Sequence, residues 1–230
     1  MVVDRSGRFM TQRAVPSMAR LQPTVTHDAL EVSGPAGAPM RVPLQADAGR
    51  REITVWKDSF QAIDCGDEAA QWLAQQLGSP GCRLVRMADD VHRRLDPTYV
   101  SDAEAGTAFA DGYPLLLANE ASLAELNQRL RQPVPMNRFR PNVVVSGPPA
   151  WAEEAWAKVR LGALELDAVK PCSRCAVITT DQLTGERPGP EPLQTLASYR
   201  TLYGLGAIFG MNLVPKRLGT VQVGDAISAQ

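Results

Sequence analysis

The sequence is poor in the side chains that most often bind metals, because its 230 residues include only four cysteines and two histidines. Four cysteines are too few for the disulfide scaffolds that hold small secreted domains together. Structural zinc sites usually combine two cysteine or histidine pairs. Here Cys172 and Cys175 form a C-x-x-C pair, and the other cysteines and histidines are widely scattered. The cysteine content therefore excludes a disulfide framework as the basis of the fold.

A strong net charge is also missing. The chain carries 24 lysines and arginines against 25 aspartates and glutamates. This balance argues against a strongly basic surface, so we expect no nucleic-acid partner. Apolar residues make up 44% of the chain, which is enough for a buried core and too many for a disordered protein.

Long apolar runs are absent as well. No run approaches the ~18 residues that span a membrane, and the first residues, MVVDRSGRFMTQR, lack the apolar core of a signal peptide. We therefore expect no membrane partner and a cytoplasmic location.

The same N-terminal residues raise a separate expectation. MVVD and SGRF have the pattern of a strand, a glycine turn and a second strand. Since a chain rarely opens directly on a core strand, we expect that sequence is missing upstream of Met1.

Short strand-like runs broken by turns dominate the rest of the chain. Helices are predicted over residues 67–78, from the capping box Ser122-x-x-Glu125 onward, and over 192–200. Strands are predicted, among other places, over 175–179 and 220–227. Many strands with a few inserted helices indicate a strand-rich α+β or barrel-like protein.

The C-x-x-C pair has several interpretations that its spacing alone leaves open. A zinc site or an iron–sulfur cluster needs about four ligands, which the scattered cysteines do not supply. A thioredoxin-like redox pair opens a helix, whereas AVITT after Cys175 favours a strand. On spacing alone, two incidental cysteines are the ordinary interpretation. A further option is a metal that a cofactor already ligates and that needs one soft thiolate, such as molybdenum bound to a pterin dithiolene.

Several segments, in order, resemble the MOSC family, named after the C-terminal domain of molybdenum cofactor sulfurase. The resemblance is to the branch that includes the mitochondrial amidoxime-reducing component and its bacterial relatives. The segments that carry it are VVDRSGRFMTQR, DCGDEAAQWL, FADGYPLLLANEASLAELN, NRFRPNVVVSG, PAWAEEAWAKVRLG, KPCSRCAVITTDQLTG, EPLQTLASYR, FG and VGD. Because they extend over nearly the whole chain, their combination is far more specific than C-x-x-C alone.

The resemblance implies both a fold and a domain division. The fold is α+β and strand-rich, with a MOSC β-barrel-like domain over residues 101–230. Residues 1–100 would form a preceding MOSC N-terminal β-barrel domain whose start is missing.

The resemblance also implies the site residues. Cys175 would be the protein ligand to molybdenum and the catalytic cysteine, whereas Cys172 is not a ligand in the family. Cofactor contacts would come from three further places, namely Arg140 and Asn142 in FRPN, Arg174 beside the ligand, and Asp111, Gly112 and Tyr113 in ADGYP. Arginine forks suit phosphate oxygens. The tyrosine that eukaryotic members place near Asn212 has no counterpart at that position.

The implied activity is the reduction of N-hydroxylated compounds by a molybdenum cofactor, a molybdenum-bearing pterin. Some bacterial relatives carry a C-terminal ferredoxin domain that this sequence lacks, so a separate ferredoxin, flavodoxin or cytochrome would supply electrons. The alternatives are a non-catalytic carrier of the cofactor or of sulfur, and a degenerate relative without a cofactor. Pyridoxal phosphate binding is a further property associated with the resemblance.

Overall fold

The computed structural model describes residues 1–230, with 14 strands and three α-helices. The strands are β1 (Val2–Val3), β2 (Gln22–Val25), β3 (Ala29–Ser33), β4 (Met40–Pro43), β5 (Arg50–Val55), β6 (Asp58–Asp64), β7 (Arg83–Met87), β8 (Leu115–Asn119), β9 (Val143–Val145), β10 (Lys158–Leu161), β11 (Leu164–Ser173), β12 (Thr201–Leu202), β13 (Gly206–Arg217) and β14 (Ile227–Ala229). The helices are α1 (Asp67–Leu77), α2 (Glu120–Arg129) and α3 (Leu193–Tyr199), and short 3-10 helices cover Pro16–Arg20, Met136–Arg138, Ala152–Ala155 and Ala176–Thr179. The strand-rich α+β class is confirmed, and the fold includes a nearly closed barrel.

The chain forms two compact units. Unit 1 contains residues 1–93 and 180–187, and unit 2 contains residues 94–179 and 188–230. The boundary expected between residues 100 and 101 concerns the two sequence domains and stays a prediction.

Unit 1 contains two antiparallel sheets, with the strand orders β1-β7-β6-β5 and β2-β3-β4. Helix α1 packs its apolar face, including Leu73, into a core shared with Val32, Val42 and Leu84. The helix ends where Gly78 adopts the left-handed conformation with φ of 60°, which glycine adopts without steric cost. The predicted helix over 67–78 is therefore present.

A buried carboxylate ties the strands of unit 1 together. The Asp64 side chain is only 4% exposed, and it accepts hydrogen bonds from Arg83 Nη2 at 2.7 Å and Arg51 Nε at 2.9 Å. Burial opposes the charged form. Hydrogen bonds from Arg83, the Gly66 N–H and Arg51 outweigh that effect and hold the pKa of Asp64 below its usual range.

Unit 2 is built on one large sheet with the order β14-β10-β11-β13-β8-β9, and β12 pairs with β13. The β8–β9 pair is parallel and the other pairs are antiparallel. One core cluster lies around Leu117, Leu166 and Leu213. A second lies around Phe139 and Phe209, whose rings stack with centroids 3.9 Å apart.

The longest strand, β13, contacts β8 closely at Gly210. This glycine has φ of 76°, and a Cβ added there would lie 2.4 Å from the Leu117 carbonyl oxygen. Both the backbone conformation and the close approach therefore require glycine.

Three local predictions from the sequence are wrong. Helix α2 begins at Glu120, capped by the Asn119 side chain that accepts from the Ala121 N–H, so Ser122 is not the cap. The Ser122 hydroxyl instead donates to the buried Glu153 carboxylate at 2.7 Å. Residues 176–179 form a 3-10 helix in place of a strand, and in the region 220–227 a strand begins only at Ile227.

None of the helices has the length and apolar character needed to cross a membrane.

Replacement of Asp64 by asparagine should lower the free energy of unfolding at pH 7 by about 2 to 4 kcal/mol, because two arginines lose a buried counter-charge. The loss should shrink as the pH falls. A carboxylate with a depressed folded-state pKa stabilises the fold fully above about pH 4, and this contribution disappears as the pH falls through the folded-state pKa.

Urea unfolding of both proteins between pH 3 and pH 7 measures this effect. Asp89→Asn is the control, because the Asp89 side chain is 99% exposed and lies 3.9 Å from Arg86. An equal loss at every pH would contradict the electrostatic explanation.

Replacement of Gly210 by alanine should destabilise the protein by at least about 2 kcal/mol, because the new Cβ would overlap the Leu117 carbonyl and the backbone conformation would be strained. Gly204→Ala is the matched control, since Gly204 has φ of 77° and a Cβ there would meet no atom within 4 Å. Chemical unfolding of the two variants separates the clash from the backbone strain. Equal losses of stability in the two variants would show that the Leu117 backbone moves away from the new Cβ at no cost in free energy.

Candidate functional site

Cys175 lies on a tight connection between a strand and a helical turn of unit 2. Strand β11 ends at Ser173, and the 3-10 helix begins at Ala176. The Cys175 carbonyl accepts from the Ile178 N–H at 3.2 Å, which closes that turn. The thiol is free and the residue is half-buried, so its sulfur belongs to an ordered but accessible part of the chain.

The start of the β12–β13 pair holds this connection in place. The Ser173 hydroxyl donates to the Leu205 carbonyl, and the Arg174 N–H donates to the Ala207 carbonyl at 2.7 Å. Two consecutive residues before Cys175 are therefore bonded to neighbouring backbone, which restricts the position of the cysteine.

The Arg174 guanidinium makes two hydrogen bonds within the protein. Its Nη1 donates to Cys172 Sγ at 2.9 Å, and its Nη2 donates to the Phe139 carbonyl at 2.7 Å. The guanidinium carbon also lies 5.5 Å from the centre of the Phe139 ring. Its Nε is buried without a hydrogen-bond partner, which is unusual for a buried donor. This buried donor of Arg174 is therefore unsatisfied by the protein.

Arg140 directly follows Phe139 and has an uncommon backbone conformation, with φ of 55°. A non-glycine residue in this region costs roughly 1 kcal/mol, and such strain is found often at functional sites. The residue is exposed, yet partial desolvation and the nearby Arg174 charge lower the pKa of its guanidinium, while Asp111 opposes the shift. Two cations with one nearby carboxylate leave an excess of positive charge that suits an anion.

The Asn142 side chain is hydrogen-bonded to the backbone through its oxygen. Its Oδ1 accepts from the Leu116 N–H at 2.9 Å, and its own N–H donates to the Leu116 carbonyl at 2.8 Å. The residue is exposed, so Nδ2 is left to donate to a ligand. The cofactor contact expected of Asn142 stays a prediction, and its Nδ2 is the atom available for it.

The residues of the ADGYP loop separate into two environments. Asp111 is exposed and within electrostatic reach of Arg140. Gly112 has open space where a Cβ would be. Tyr113 instead packs into an apolar cluster with Leu95, and its hydroxyl is buried without a hydrogen-bond partner. Burial, with smaller effects of Asp96 and Tyr99, raises the pKa of Tyr113 to about 12.

The structure thus brings Asp111, Arg140 and Arg174 together electrostatically, and Cys175 follows Arg174 directly in the chain. The Tyr113 hydroxyl makes no hydrogen bond to any of them. Sequence reasoning missed the role of Cys172, whose sulfur accepts from Arg174. The arginine two positions after Cys172 was the only available signal. No group of three or more histidine, cysteine, aspartate or glutamate side chains has the arrangement of a metal site.

Comparisons with protein families match two models. The MOSC domain matches residues 105–228, and the MOSC N-terminal beta barrel domain matches residues 1–80. A solved protein from Bordetella bronchiseptica covers 39% of this chain and 72% of its own, at 22% identity and a TM-score of 0.36, which is too low to support an argument.

Curated relatives match almost the whole chain. Mitochondrial amidoxime-reducing component 1 of Mus musculus is 34% identical over 99% of this chain and 70% of that protein. The Homo sapiens protein of the same name is 34% identical over 99% and 71%. Mitochondrial amidoxime reducing component 2 of Rattus norvegicus is 33% identical over 99% and 71%. These names place those relatives in mitochondria, so the expected cytoplasmic location has no support here, and neither has pyridoxal phosphate binding.

The hydrogen bond that Asn142 Oδ1 accepts from the Leu116 N–H can be tested by mutation. Asn142→Ala should lower the free energy of unfolding by about 0.5 to 1 kcal/mol, because the Leu116 N–H loses its acceptor. Asn142→Asp should keep the stability of the parent protein, because a carboxylate oxygen can still accept that bond. Chemical unfolding at pH 7 measures both, and equal losses would contradict the assigned role of Oδ1.

Proposed function

This chain belongs to the MOSC-domain family, and on that premise we propose that it is an oxidoreductase that reduces N-hydroxylated compounds with a molybdenum pterin cofactor. The names of the relatives support the substrate class, because an amidoxime is an N-hydroxylated amidine. The observation that carries the proposal is the half-buried thiol of Cys175 directly after Arg174, which lies within electrostatic reach of Arg140.

The donor set of the site fits such a cofactor. A phosphate group requires cations and hydrogen-bond donors, which Arg140 and the Nδ2 of Asn142 supply, with Arg174 as a neighbouring positive charge. A soft metal requires a thiolate, which Cys175 would supply. A cofactor that brings most of the metal ligands needs only one from the protein. Asp111 would face the same region as a counter-charge to Arg140. Gly112 would leave room beside it, and Tyr113 is the weakest candidate because its hydroxyl lies in an apolar cluster.

The overall reaction consumes two electrons and two protons for each N–O bond. The bond from nitrogen to the hydroxyl oxygen breaks, one proton is added to the nitrogen, and the other is added to the hydroxyl group, which leaves as water. The bound molybdenum would supply the two-electron chemistry. A separate protein, of ferredoxin, flavodoxin or cytochrome type, would donate the two electrons and be oxidised.

The protein's own contribution is to bind and orient. The hydrogen bonds of Arg174 and the bonded turn around Cys175 hold a cation and a thiol in place before the cofactor arrives. Groups held in advance lose less entropy on binding than mobile ones. The environment of a metal ligand also influences the metal's redox potential, so the neighbouring Arg174 charge bears on it.

Replacement of Cys175 by alanine or serine should remove the metal ligand and abolish reduction of an aromatic amidoxime. Molybdenum content should fall with it, because metal affinity depends on the thiolate. The measurements are elemental analysis of the purified protein and amidine formation with a reduced viologen dye as electron source. Cys65→Ala is the control, because Cys65 is also half-buried and lies in unit 1.

Full activity in a molybdenum-loaded Cys175→Ala protein would contradict the assignment of Cys175 as the metal ligand. A parent protein that retains molybdenum and pterin, but reduces no amidoxime with the dye or with any of the three donor types, would favour a non-catalytic carrier of the cofactor or of sulfur.

A further inference from the structure

We propose that Cys172 is a positioning residue for cofactor binding, and that it acts by holding the Arg174 guanidinium. This inference rests on the proposed function, since the group to be bound is the molybdenum cofactor. Cys172 is not itself a metal ligand in this proposal. Its sulfur is the partner that fixes where the arginine lies.

Two acceptors within the protein hold Arg174 in place. The guanidinium carries five N–H donors, and its two protein acceptors are Cys172 Sγ and the Phe139 carbonyl. No ion pair in the structure joins Arg174 to a carboxylate. A half-buried cation without a paired acid depends on such neutral or sulfur acceptors for its position. Loss of the sulfur would leave only the Phe139 carbonyl.

Arg174 connects the two segments of the site. Cys172 lies three residues before Cys175, and Phe139 directly precedes Arg140. The guanidinium therefore bridges the segment that carries the thiol and the segment that carries the exposed cation. The bridge orients Arg174 itself beside the thiol, and this is the position that Cys172 controls.

The two arginines differ in role. Arg140 is exposed and forms no ion pair with a carboxylate of unit 2. Arg174 has each Nη bonded to an acceptor within the protein, and its Nε is buried without a partner. Arg140 is therefore the cation that faces a phosphate, and Arg174 chiefly sets the geometry. Cys172 should then matter through Arg174 and independently of Arg140.

A double-mutant cycle tests this dependence. Apo-protein variants are titrated anaerobically with molybdenum cofactor released from another molybdoenzyme, and bound molybdenum and pterin are measured per chain. Cys172→Ala should weaken binding about 10-fold, as loss of a supporting contact does at metal sites. Cys172→Ala should add little to Arg174→Ala, but its full 10-fold effect should appear on top of Arg140→Ala.

Conservative variants and stability measurements separate positioning from general packing. Cys172→Ser should bind cofactor better than Cys172→Ala, because a hydroxyl can also accept from Arg174. Cys65→Ala should bind like the parent protein. Chemical unfolding of each apo-protein shows whether it is folded, and Arg174→Lys replaces Arg174→Ala if the double variant does not fold. Lysine keeps the charge but lacks the fork that reaches both partners.

The outcomes distinguish the two levels of the proposal. A Cys172→Ala protein that binds cofactor like the parent overturns the inference, as does a loss of the same size with and without Arg174. Either result leaves the proposed function standing. A folded parent protein that binds no molybdenum cofactor overturns both.

Discussion

The candidate site depends on one guanidinium with two protein partners. Arg174 joins the Cys172 sulfur to the Phe139 carbonyl and so links the segment before Cys175 to the segment before Arg140. These segments lie more than thirty positions apart in the sequence, and regular strand pairing does not join them directly. The side chain therefore supplies a connection that the sheet does not, and it places its own charge beside the thiol.

Arginines are used differently in the two units. In unit 1, Arg51 and Arg83 surround the buried Asp64. The carboxylate neutralises part of their charge, and their hydrogen bonds keep the pKa of Asp64 low. In unit 2, Arg140 and Arg174 have no paired carboxylate, and Asp111 acts on Arg140 only electrostatically. The first arrangement stabilises a fold through charge pairing. The second leaves positive charge uncompensated, which is unfavourable unless an anion binds.

Local patterns predicted the regular elements better than the site. The helix over 67–78 was predictable because its apolar period and its terminal Gly78 are local features. The start of α2 was not, because Asn119 and Ser122 are both good caps and the contact of Ser122 with the buried Glu153 is tertiary. The β-branched residues after Cys175 favoured a strand, but the segment turns into a 3-10 helix. The resemblance pointed to Cys175 and Arg140. The hydrogen bond from Arg174 to Cys172 could not be predicted, because it depends on side-chain positions in the folded protein.

The two arginines also differ in how each is held. Arg174 is fixed by hydrogen bonds at both ends of its fork. Arg140 has an exposed side chain on a backbone whose φ of 55° is uncommon for a non-glycine residue. That φ sets the direction of the Cα–Cβ bond but leaves the long side chain its rotamer freedom, part of which is lost when a ligand orders it. Arg174 therefore offers positive charge at a set position, whereas Arg140 offers a guanidinium that can adjust to an anion.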